Sequence, residues 1–443
     1  MPRETLAVWL DGQPGVAGYL ARADDGETGF FYDEDYAAAG GAPLSMSLPI
    51  ELGEFGDVET RAYFQNLLPE NEQFRTIIER EGVAANDVVG QLRLFGADCA
   101  GAVSCLPLHA PPVKVPGVLD ADYEVIRDED LVKIVRSLAE LRRLPGDVND
   151  PSPVAGVQSK VALTLLPGNR FAFPRHGLRV PTTHILKVPE RRHGRDARLE
   201  EASALLAAAA GLEVSIPQAI KVGDYDALLI ERFDRRVEDG VVSRIHQEDF
   251  AQALGLPSEL KYERKGRPER RFDVQAILSV LDRTDNPEGA RLAFLRATLF
   301  NLCIGNTDNH AKNHALLYDR GVAPRFAPLY DLMPIRIDNR FNHQLAFNIG
   351  SATHFDASTA ADYAAFFAAF GVEDMAAFLH DEIAPLIERL EEGEKSLRGL
   401  GLKQFDDLIG RETEALVDRL RMVVAVRERD YFPYQNEGWN AAS

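Results

Sequence analysis

The sequence predicts an α+β fold with two lobes and an extra subdomain at the N-terminus. Three observations indicate this organisation. Strand-like runs alternate with polar turns up to about residue 233, helical spacing dominates from residue 247, and a proline-rich passage at 107–116 separates the first module from the rest. We therefore expect a subdomain at 1–110, a mixed α/β lobe at 111–233 and an all-helical lobe at 234–443.

Each predicted element rests on its periodicity. Apolar residues at every second position indicate strands, and apolar residues three and four apart indicate helices. In chain order, we expect strands at 6–10 and 17–21, a helix at 59–66, a helix at 128–144, strands at 161–166, 170–174 and 184–188, a helix at 199–210, strands at 218–222 and 227–233, and helices at 247–253, 274–281, 290–304, 360–370, 376–392 and 410–427.

Composition indicates a folded protein of the cytoplasm. A content of 45% hydrophobic and 27% charged residues excludes disorder of the whole chain. No apolar stretch reaches the roughly 20 residues that a membrane span needs, and residues 1–11 lack the pattern of a secretion signal. Three cysteines, Cys99, Cys105 and Cys303, suit a reducing compartment, so we expect free thiols and no membrane partner.

The formal net charge of -20 argues against broad contact with nucleic acid, because neutralising phosphates requires a basic surface. Two local clusters are nevertheless basic, and solvated loop charges are the ordinary interpretation of each. They comprise Arg191, Arg192, Arg195 and Arg198, and then Lys261, Arg264, Lys265, Arg267, Arg270 and Arg271.

The most informative segment is the polar run 305–313, which directly follows the apolar helical segment 290–304. Asp308 and Asn313 are five residues apart, as are the catalytic aspartate and the metal-binding asparagine of protein-kinase catalytic loops. A carboxylate here can accept the proton of an attacking hydroxyl, while an amide oxygen holds Mg²⁺. The structural alternative is an Asn/Asp-rich turn that bonds to its own backbone.

Further residues fit phosphoryl transfer. Asp331 follows Asn313 by 18 residues, at the end of a short apolar strand, and is the expected second Mg²⁺ ligand. Lys187 ends a strand, and Glu200 or Glu201 begins the next helix, so the pair could direct a lysine to the α and β phosphates of ATP. A surface lysine near an acidic helix is the alternative.

Two segments are candidates for the rest of a nucleotide site. The stretch before the first strand of the α/β lobe has one glycine that allows close approach to phosphate, although it is neither GxGxxG nor a Walker loop. Its candidate residues are Ala155, Gly156, Val157, Gln158, Ser159 and Lys160. Glu231 and Phe233 close the last strand, where a hinge would contact adenine; a core phenylalanine is equally compatible.

Taken together, these segments resemble the HipA family of toxin kinases. The resemblance rests on 154–160, 182–187, 231–235, 308–313 and 330–331, and it extends to the N-terminal module through 8–12, 64–70 and 96–102. It implies a protein-kinase-like fold and an ATP- and Mg²⁺-dependent serine/threonine kinase. The implied substrate is a serine of an aminoacyl-tRNA synthetase, typically the glutamyl enzyme, whose phosphorylation causes growth arrest and persistence.

The resemblance also implies a partner and roles for individual residues. The partner would be a HipB-like helix-turn-helix antitoxin, through which an acidic toxin reaches operator DNA. Asp308 would be catalytic, Asn313 and Asp331 would bind metal, Lys187 would bind phosphate, Glu231 and Phe233 would contact adenine at the hinge, and His310 and Tyr330 would belong to the nucleotide site.

Two departures and two alternatives accompany the resemblance. Pro153 occupies the position of the serine that the family commonly autophosphorylates, which leaves Ser152 as a possible phosphosite. The segment 261–268 lacks the paired glycines that the family tends to show before the proline. The Asp308, His310 and Asn313 spacing also fits small-molecule kinases of the aminoglycoside or choline type, and a catalytically silent corepressor is the non-enzymatic alternative.

Overall fold

The computed structural model describes residues 4–51, 53–70, 72–146, 148, 158–319, 323–395, 401–427 and 429. The chain forms two compact units, neither of which is continuous in sequence. The first unit contains the described residues of 1–197, 217–260 and 315–327, and the second contains those of 198–216, 261–314 and 328–443. The division into 1–110, 111–233 and 234–443 stays a prediction.

The first unit begins with a four-stranded antiparallel sheet in the order β3-β2-β1-β4. Its elements are β1 (Glu4–Leu10), β2 (Gly18–Arg22), β3 (Thr28–Tyr32), α1 (Glu34–Ala38), α2 (Asp57–Gln65), α3 (Glu72–Arg80), α4 (Val88–Phe95) and β4 (Val103–Pro107). Alternation along β1 buries Leu6, Val8 and Leu10 in a core that also contains Phe30 and Phe64. The sequence predicted α2 but missed α1, α3 and α4; the Val-Val-Gly start of α4 favours a strand on local propensity, and packing overrides it.

A six-stranded sheet in the order β10-β11-β9-β7-β8-β6 follows in the same unit. The elements are β5 (Gly117–Val118), β6 (Tyr123–Val125), α5 (Asp128–Leu141), β7 (Lys160–Leu166), β8 (Arg170–Pro174), β9 (His184–Lys187), α6 (Arg195–Ala209, mostly in the second unit), β10 (Gln218–Val222) and β11 (Tyr225–Glu231). The apolar face of α5, with Ile134 and Leu138, packs on the sheet against Leu186 and Ala227. This packing fixes β9 as an inner strand.

The part after residue 234 is not all helical, contrary to the sequence-based expectation. It also contains β12 (Arg235–Glu238), β13 (Val241–Arg244), β14 (Gln247–Asp249), α7 (Phe250–Ala253), β15 (Ala315–Leu317) and β16 (Arg325–Phe326), all in the first unit. Asp239 and Gly240, with φ of 50° and 76°, form the two-residue loop of the β12–β13 hairpin. An Asp-Gly pair between valine-containing runs is a strong hairpin signal, so the sequence did contain this information.

The second unit is mainly helical. Its elements are α8 (Val274–Leu281), α9 (Pro287–Cys303), β17 (Gln344–Ile349), β18 (Ala352–His354), α10 (Ala360–Ala369), α11 (Met375–Phe378), α12 (Ala384–Glu394) and α13 (Lys403–Leu420), with a π-helical turn at Leu379–Ile383 between α11 and α12. Phe294 of α9 packs against Phe347 and Phe370 in an aromatic core. Within the described ranges, no helix is both long and apolar enough to cross a membrane.

Candidate functional site

The polar run 305–313 begins where α9 ends. Gly305 adopts a φ of 70°, which a side chain would strain, and its N–H bonds the Leu302 carbonyl at 3.1 Å. A Cβ at this position would lie 2.9 Å from Leu408 and 3.1 Å from Arg336. The glycine therefore lets the chain leave the helix through a narrow space and turn into the loop.

Asn306 links the end of α9 to the backbone of Asp308. Its side-chain Nδ2 donates to Asn301 Oδ1 at 2.8 Å, and its Oδ1 accepts from the N–H of Asp308 at 3.1 Å. Asn306 is buried, so these bonds are protected from competing water. The position of Asp308 is thus set by a helix side chain rather than by a free loop.

Asn313 closes the loop on Asp308. Its Nδ2 donates to the carbonyl oxygen of Asp308 at 2.8 Å, and the same oxygen accepts from the N–H of His310 at 2.9 Å. Because this bond occupies the amide nitrogen, the amide oxygen of Asn313 is the atom left to bind a cation. The five-residue spacing thus allows Asn313 to reach the backbone of Asp308, and a metal-binding role for its oxygen stays a prediction.

Tyr262 contacts the candidate base directly and was not singled out from the sequence. Its hydroxyl donates to Asp308 Oδ1 at 2.5 Å. The ring stands edge-on to His310 with centroids 5.1 Å apart, and the Arg264 guanidinium lies 4.0 Å from the ring centroid. The neighbouring Lys261 carbonyl accepts from the N–H of Ala311 at 3.1 Å, so the two segments are joined by backbone as well.

Electrostatics distinguish two ionisable groups of the loop, Asp308 and His310. Burial raises the pKa of Asp308 above its usual value; the hydrogen bond from Tyr262 opposes this, and the charge of Asp331 adds to it. Burial lowers the pKa of His310 to about 3, with the Lys261 charge acting in the same direction, so the imidazole is neutral at physiological pH. Asp308 can therefore act as a proton acceptor, whereas His310 is uncharged.

Asp331 lies on a strained backbone. It is exposed and has a φ of 55°, which few residues other than glycine adopt and which often marks functional positions. The preceding Tyr330 donates its hydroxyl to the Lys312 carbonyl at 2.7 Å, which ties this segment to the catalytic loop. The second unit thus brings together Asp308, His310, Asn313, Tyr330 and Asp331, and their chemical roles stay a prediction.

The donor atoms fit Mg²⁺ held jointly with phosphates. Asn313 and Asp331 offer an amide and a carboxylate oxygen, the hard ligands that this ion prefers. Across the described residues, no group of three or more His, Cys, Asp or Glu side chains is placed to hold a metal ion. Such a small set of protein ligands is typical of Mg²⁺ sites that the nucleotide completes.

The first unit contains the other nucleotide candidates. Lys187 is buried on β9, between β7 and β11, where its register partners are Lys160 and Leu228. Glu231 ends β11 opposite His184, and the half-buried Phe233 follows.

The sequence-based candidates before β7 are only partly described. Gln158 is exposed, and the Ser159 carbonyl accepts from the N–H of Val188 at 2.9 Å. Ser152, Pro153, Ala155, Gly156 and Val157 lie outside the described residues. Glu200 and Glu201 lie in the second turn of α6, which starts at Arg195, and a pairing of either glutamate with Lys187 stays a prediction.

Comparisons with known proteins match both parts of the chain to one family. Residues 6–106 match the HipA N-terminal domain, and residues 152–392 match the HipA-like C-terminal domain. The Sinorhizobium fredii protein Y4mE, whose name as a kinase is provisional, is 36% identical over 79% of this chain and 82% of its own length. The serine/threonine-protein kinase toxin HipA of Shewanella oneidensis is 32% identical over 72% of each chain.

A solved structure extends the similarity to the fold. The toxin–antitoxin complex of HipA, HipB and operator DNA from Shewanella oneidensis contains a chain that matches with a TM-score of 0.76 and 26% identity. The match covers 94% of this chain and 97% of the other.

Proposed function

Because the chain belongs to the HipA family of kinases, we propose that it is an ATP- and Mg²⁺-dependent serine/threonine protein kinase that acts as a toxin. The observation that carries the proposal is the convergence of the Asp308 carboxylate, the Asn313 amide and the hydroxyl of Tyr262 in one loop environment. A carboxylate with a raised pKa and a fixed orientation suits general-base chemistry.

In the proposed reaction, Asp308 accepts the proton of the acceptor serine while the serine oxygen attacks the γ-phosphorus. The bond between that phosphorus and the β,γ-bridging oxygen breaks, and ADP leaves. Mg²⁺, when bound, neutralises charge on the phosphates. Asn313 and Asp331 would hold that Mg²⁺ through their oxygens, and Tyr262 holds the Asp308 carboxylate. The neutral imidazole of His310 packs against Tyr262 and adds no competing positive charge.

The first unit contains the other residues that we assign to nucleotide binding. We assign phosphate binding to Lys187, which is a buried cation on an inner strand of the sheet. Lys160 begins the adjacent β7, and Gln158 and Ser159 directly precede it. Glu231 ends β11 and Phe233 follows it, and we assign adenine binding to these two residues.

We propose partners by analogy with the family. We propose a HipB-like antitoxin and, through it, operator DNA, on the model of the Shewanella oneidensis complex. The net charge of -20 supports indirect contact with DNA. We propose a serine of an aminoacyl-tRNA synthetase, glutamyl-type first, as the acceptor, and the cytoplasm as the compartment, where Cys99, Cys105 and Cys303 stay buried thiols.

Incubation of the purified protein with γ-labelled ATP and a cell lysate tests this function. Label should appear on a protein band, and phosphopeptide mass spectrometry should place it on a serine. Asp308→Ala should remove both the label and growth arrest on induction while antitoxin binding persists. Label on a metabolite alone would support the small-molecule kinase instead, and growth arrest that persists in Asp308→Ala would show that the chemistry lies elsewhere.

A further inference from the structure

A network of buried charges lies beside the proposed adenine hinge, within the first unit. We call it the hinge cluster; it comprises Asp11, Asp98, Lys114, Arg232, Asp234, Arg235 and Arg244. Apart from Asp11, these side chains are at most 4% exposed. None of them has a part in the phosphoryl-transfer chemistry proposed above.

One side of the hinge cluster belongs to the N-terminal domain matched at 6–106. Asp98 pairs with Lys114 at 3.2 Å and with Arg244 at 3.4 Å, and Arg244 also reaches Asp11 at 3.2 Å. The loop 98–101, between α4 and β4, is therefore fixed by charge as well as by packing.

The other side is the hinge segment 231–235 itself. Arg232 donates to both oxygens of Asp234 at 3.0 Å, and Arg235 lies 2.7 Å from the same carboxylate. Thr182, before β9, accepts from Arg232 through its hydroxyl at 3.2 Å and from Arg235 through its carbonyl at 3.1 Å. Both chain neighbours of Phe233, Arg232 and Asp234, are thus held in place by hydrogen bonds.

Gly101 joins the two sides. Its N–H donates to Asp234 Oδ2 at 3.2 Å, and its carbonyl accepts from Arg235 at 3.5 Å. The glycine has a φ of 63°, and a Cβ there would lie 2.8 Å from the backbone nitrogen of Gln247. Only a residue without a side chain allows this close approach.

Stability alone is a weak reason for such a network. Burying charges costs solvation energy, and apolar replacements of similar volume are often equally stable, whereas loss of one partner is strongly destabilising. A network of this kind has few alternative arrangements, because a buried charge that loses its partner has no water to replace it. Burial alone would raise the pKa of Asp234, but Arg232 and Arg235 hold it well below its usual value, so the carboxylate stays charged.

We propose that the hinge cluster couples the loop 98–101 of the N-terminal domain to the hinge segment 231–235, and that Asp234 and Gly101 are positioning residues for the nucleotide. The proposal rests on the adenine-contacting role given above to Glu231 and Phe233. By linkage, a bound nucleotide favours the fixed position of the loop 98–101 by a certain factor. Displacement of the loop lowers the affinity for nucleotide by the same factor.

Gly101→Ala tests the coupling without touching the nucleotide, and Gly26→Ala is its matched control. Gly26 also has a positive φ, of 90°, but no atom lies within 4 Å of a Cβ placed there. We expect Gly101→Ala to raise the dissociation constant of a fluorescent ATP analogue and the KM for ATP by about fivefold or more, within the range known for coupled sites. The kcat at saturating ATP should stay within about twofold, because the chemistry is untouched. Gly26→Ala should leave all three values unchanged.

A measurement on the unmodified protein covers the case in which Gly101→Ala fails to fold. A non-hydrolysable ATP analogue should slow hydrogen exchange of the amides in 98–102, since the Gly101 N–H is bonded to Asp234. Nucleotide binding with unchanged exchange there, or with unchanged affinity in folded Gly101→Ala, overturns the coupling and leaves the kinase proposal standing. Absence of any nucleotide binding to the unmodified protein would overturn the kinase proposal itself.

Discussion

The hydroxyl of Tyr262 holds the Asp308 carboxylate in an orientation that the loop backbone alone does not fix. Its bond of 2.5 Å joins a phenol to a mostly buried carboxylate, where hydrogen bonds to charge are strong. Arg264 over the ring and His310 at its edge keep the ring in place. Removal of the hydroxyl alone therefore tests its effect on Asp308 without displacing the ring.

We predict that Tyr262→Phe lowers kcat about 10- to 100-fold, the equivalent of losing one hydrogen bond to a charged group worth ~1.5–3 kcal/mol. The KM for ATP should change little, because the phenylalanine ring keeps the contacts with Arg264 and His310. Steady-state kinetics with a peptide or protein acceptor measure both constants. Tyr363→Phe, which removes a hydroxyl bonded to Ser358 at 3.3 Å in the same unit, is the control and should keep its kcat. An unchanged kcat in Tyr262→Phe would show that the hydroxyl has no positioning role.

Glu248 is a buried acid outside the candidate site, and it makes stability depend on pH. Its carboxylate accepts from Ser45, from Tyr318 and, at 3.0 Å, from the N–H of Met46. Burial outweighs these bonds and raises the pKa of Glu248 to about 7. Between the unfolded value near 4.5 and about 7, the folded state binds more protons, so the free energy of unfolding falls as pH rises.

Glu248→Gln should remove this pH dependence, since glutamine imitates the neutral acid. We predict that the unfolding free energy of the variant, relative to the parent, rises between pH 5 and pH 8 by up to about 3 kcal/mol. Urea denaturation of both proteins at four pH values gives the difference between their free energies of unfolding. The contributions of the other titrating groups cancel in this difference. A difference that stays constant, or falls, with increasing pH would contradict the raised pKa.

At the scale of elements, periodicity predicted those helices and strands whose apolar pattern is clear. The bounds of β8, β10 and α8 agree with the expected ranges, because alternation or helical spacing coincides there with burial. The expected helix at 376–392 is interrupted by the π-helical turn Leu379–Ile383, which changes the backbone bonding but not the apolar spacing. Helix α13 starts at Lys403, before the expected residue 410, and ends at Leu420, where Arg421 turns left-handed with a φ of 51°.

Local spacing was sufficient to predict that Asp308 and Asn313 lie close together, but not which distant residues contact them. Asp308 and Asn313 are close in sequence, so their contact follows from a short turn. Tyr262 lies 46 residues before Asp308, and their contact depends on how the segment after Leu260 packs. Similarly, no local pattern shows that Gly101 reaches Asp234, which lies 133 residues away.

An ionic cluster joins α12, α13 and the segment that follows. Arg429 contacts Glu391 at 3.2 Å, Glu394, and Asp406 at 3.2 Å, with only 2% of its side chain exposed. We predict that Arg429→Ala lowers the free energy of unfolding by about 3–5 kcal/mol, because buried carboxylates lose their cation. Arg427→Ala, at a side chain 28% exposed, is the comparison and should cost less. Denaturant titration of both variants gives the values, and equal small losses would mean that the carboxylates find other partners.

For the molecule as a whole, charge is unevenly distributed. Acidic residues outnumber basic ones by 69 to 49, yet residues 261–271 contain six basic and two acidic residues. This basic segment is bonded to the catalytic loop through Lys261 and Tyr262. An acidic protein thus keeps local positive charge beside Asp308. This charge favours binding of a small polyanion such as a nucleoside triphosphate over broad contact with DNA.

Ligand binding should therefore stabilise the whole fold in a metal-dependent manner. A non-hydrolysable ATP analogue with Mg²⁺ at 100 times its dissociation constant adds about 2.7 kcal/mol to the folded state. We predict that EDTA removes most of the rise in Tm that the analogue causes, because it removes the metal. Asp331→Asn should have the same effect, because the carboxylate that helps hold the metal is lost. Asparagine tolerates the φ of 55° at this position, so the Tm without ligand should stay the same. Asp239→Asn, at an exposed turn with a φ of 50°, is the matched control and should keep the full rise. Equal rises with and without Mg²⁺ would show that Asp331 and Asn313 do not form a metal site.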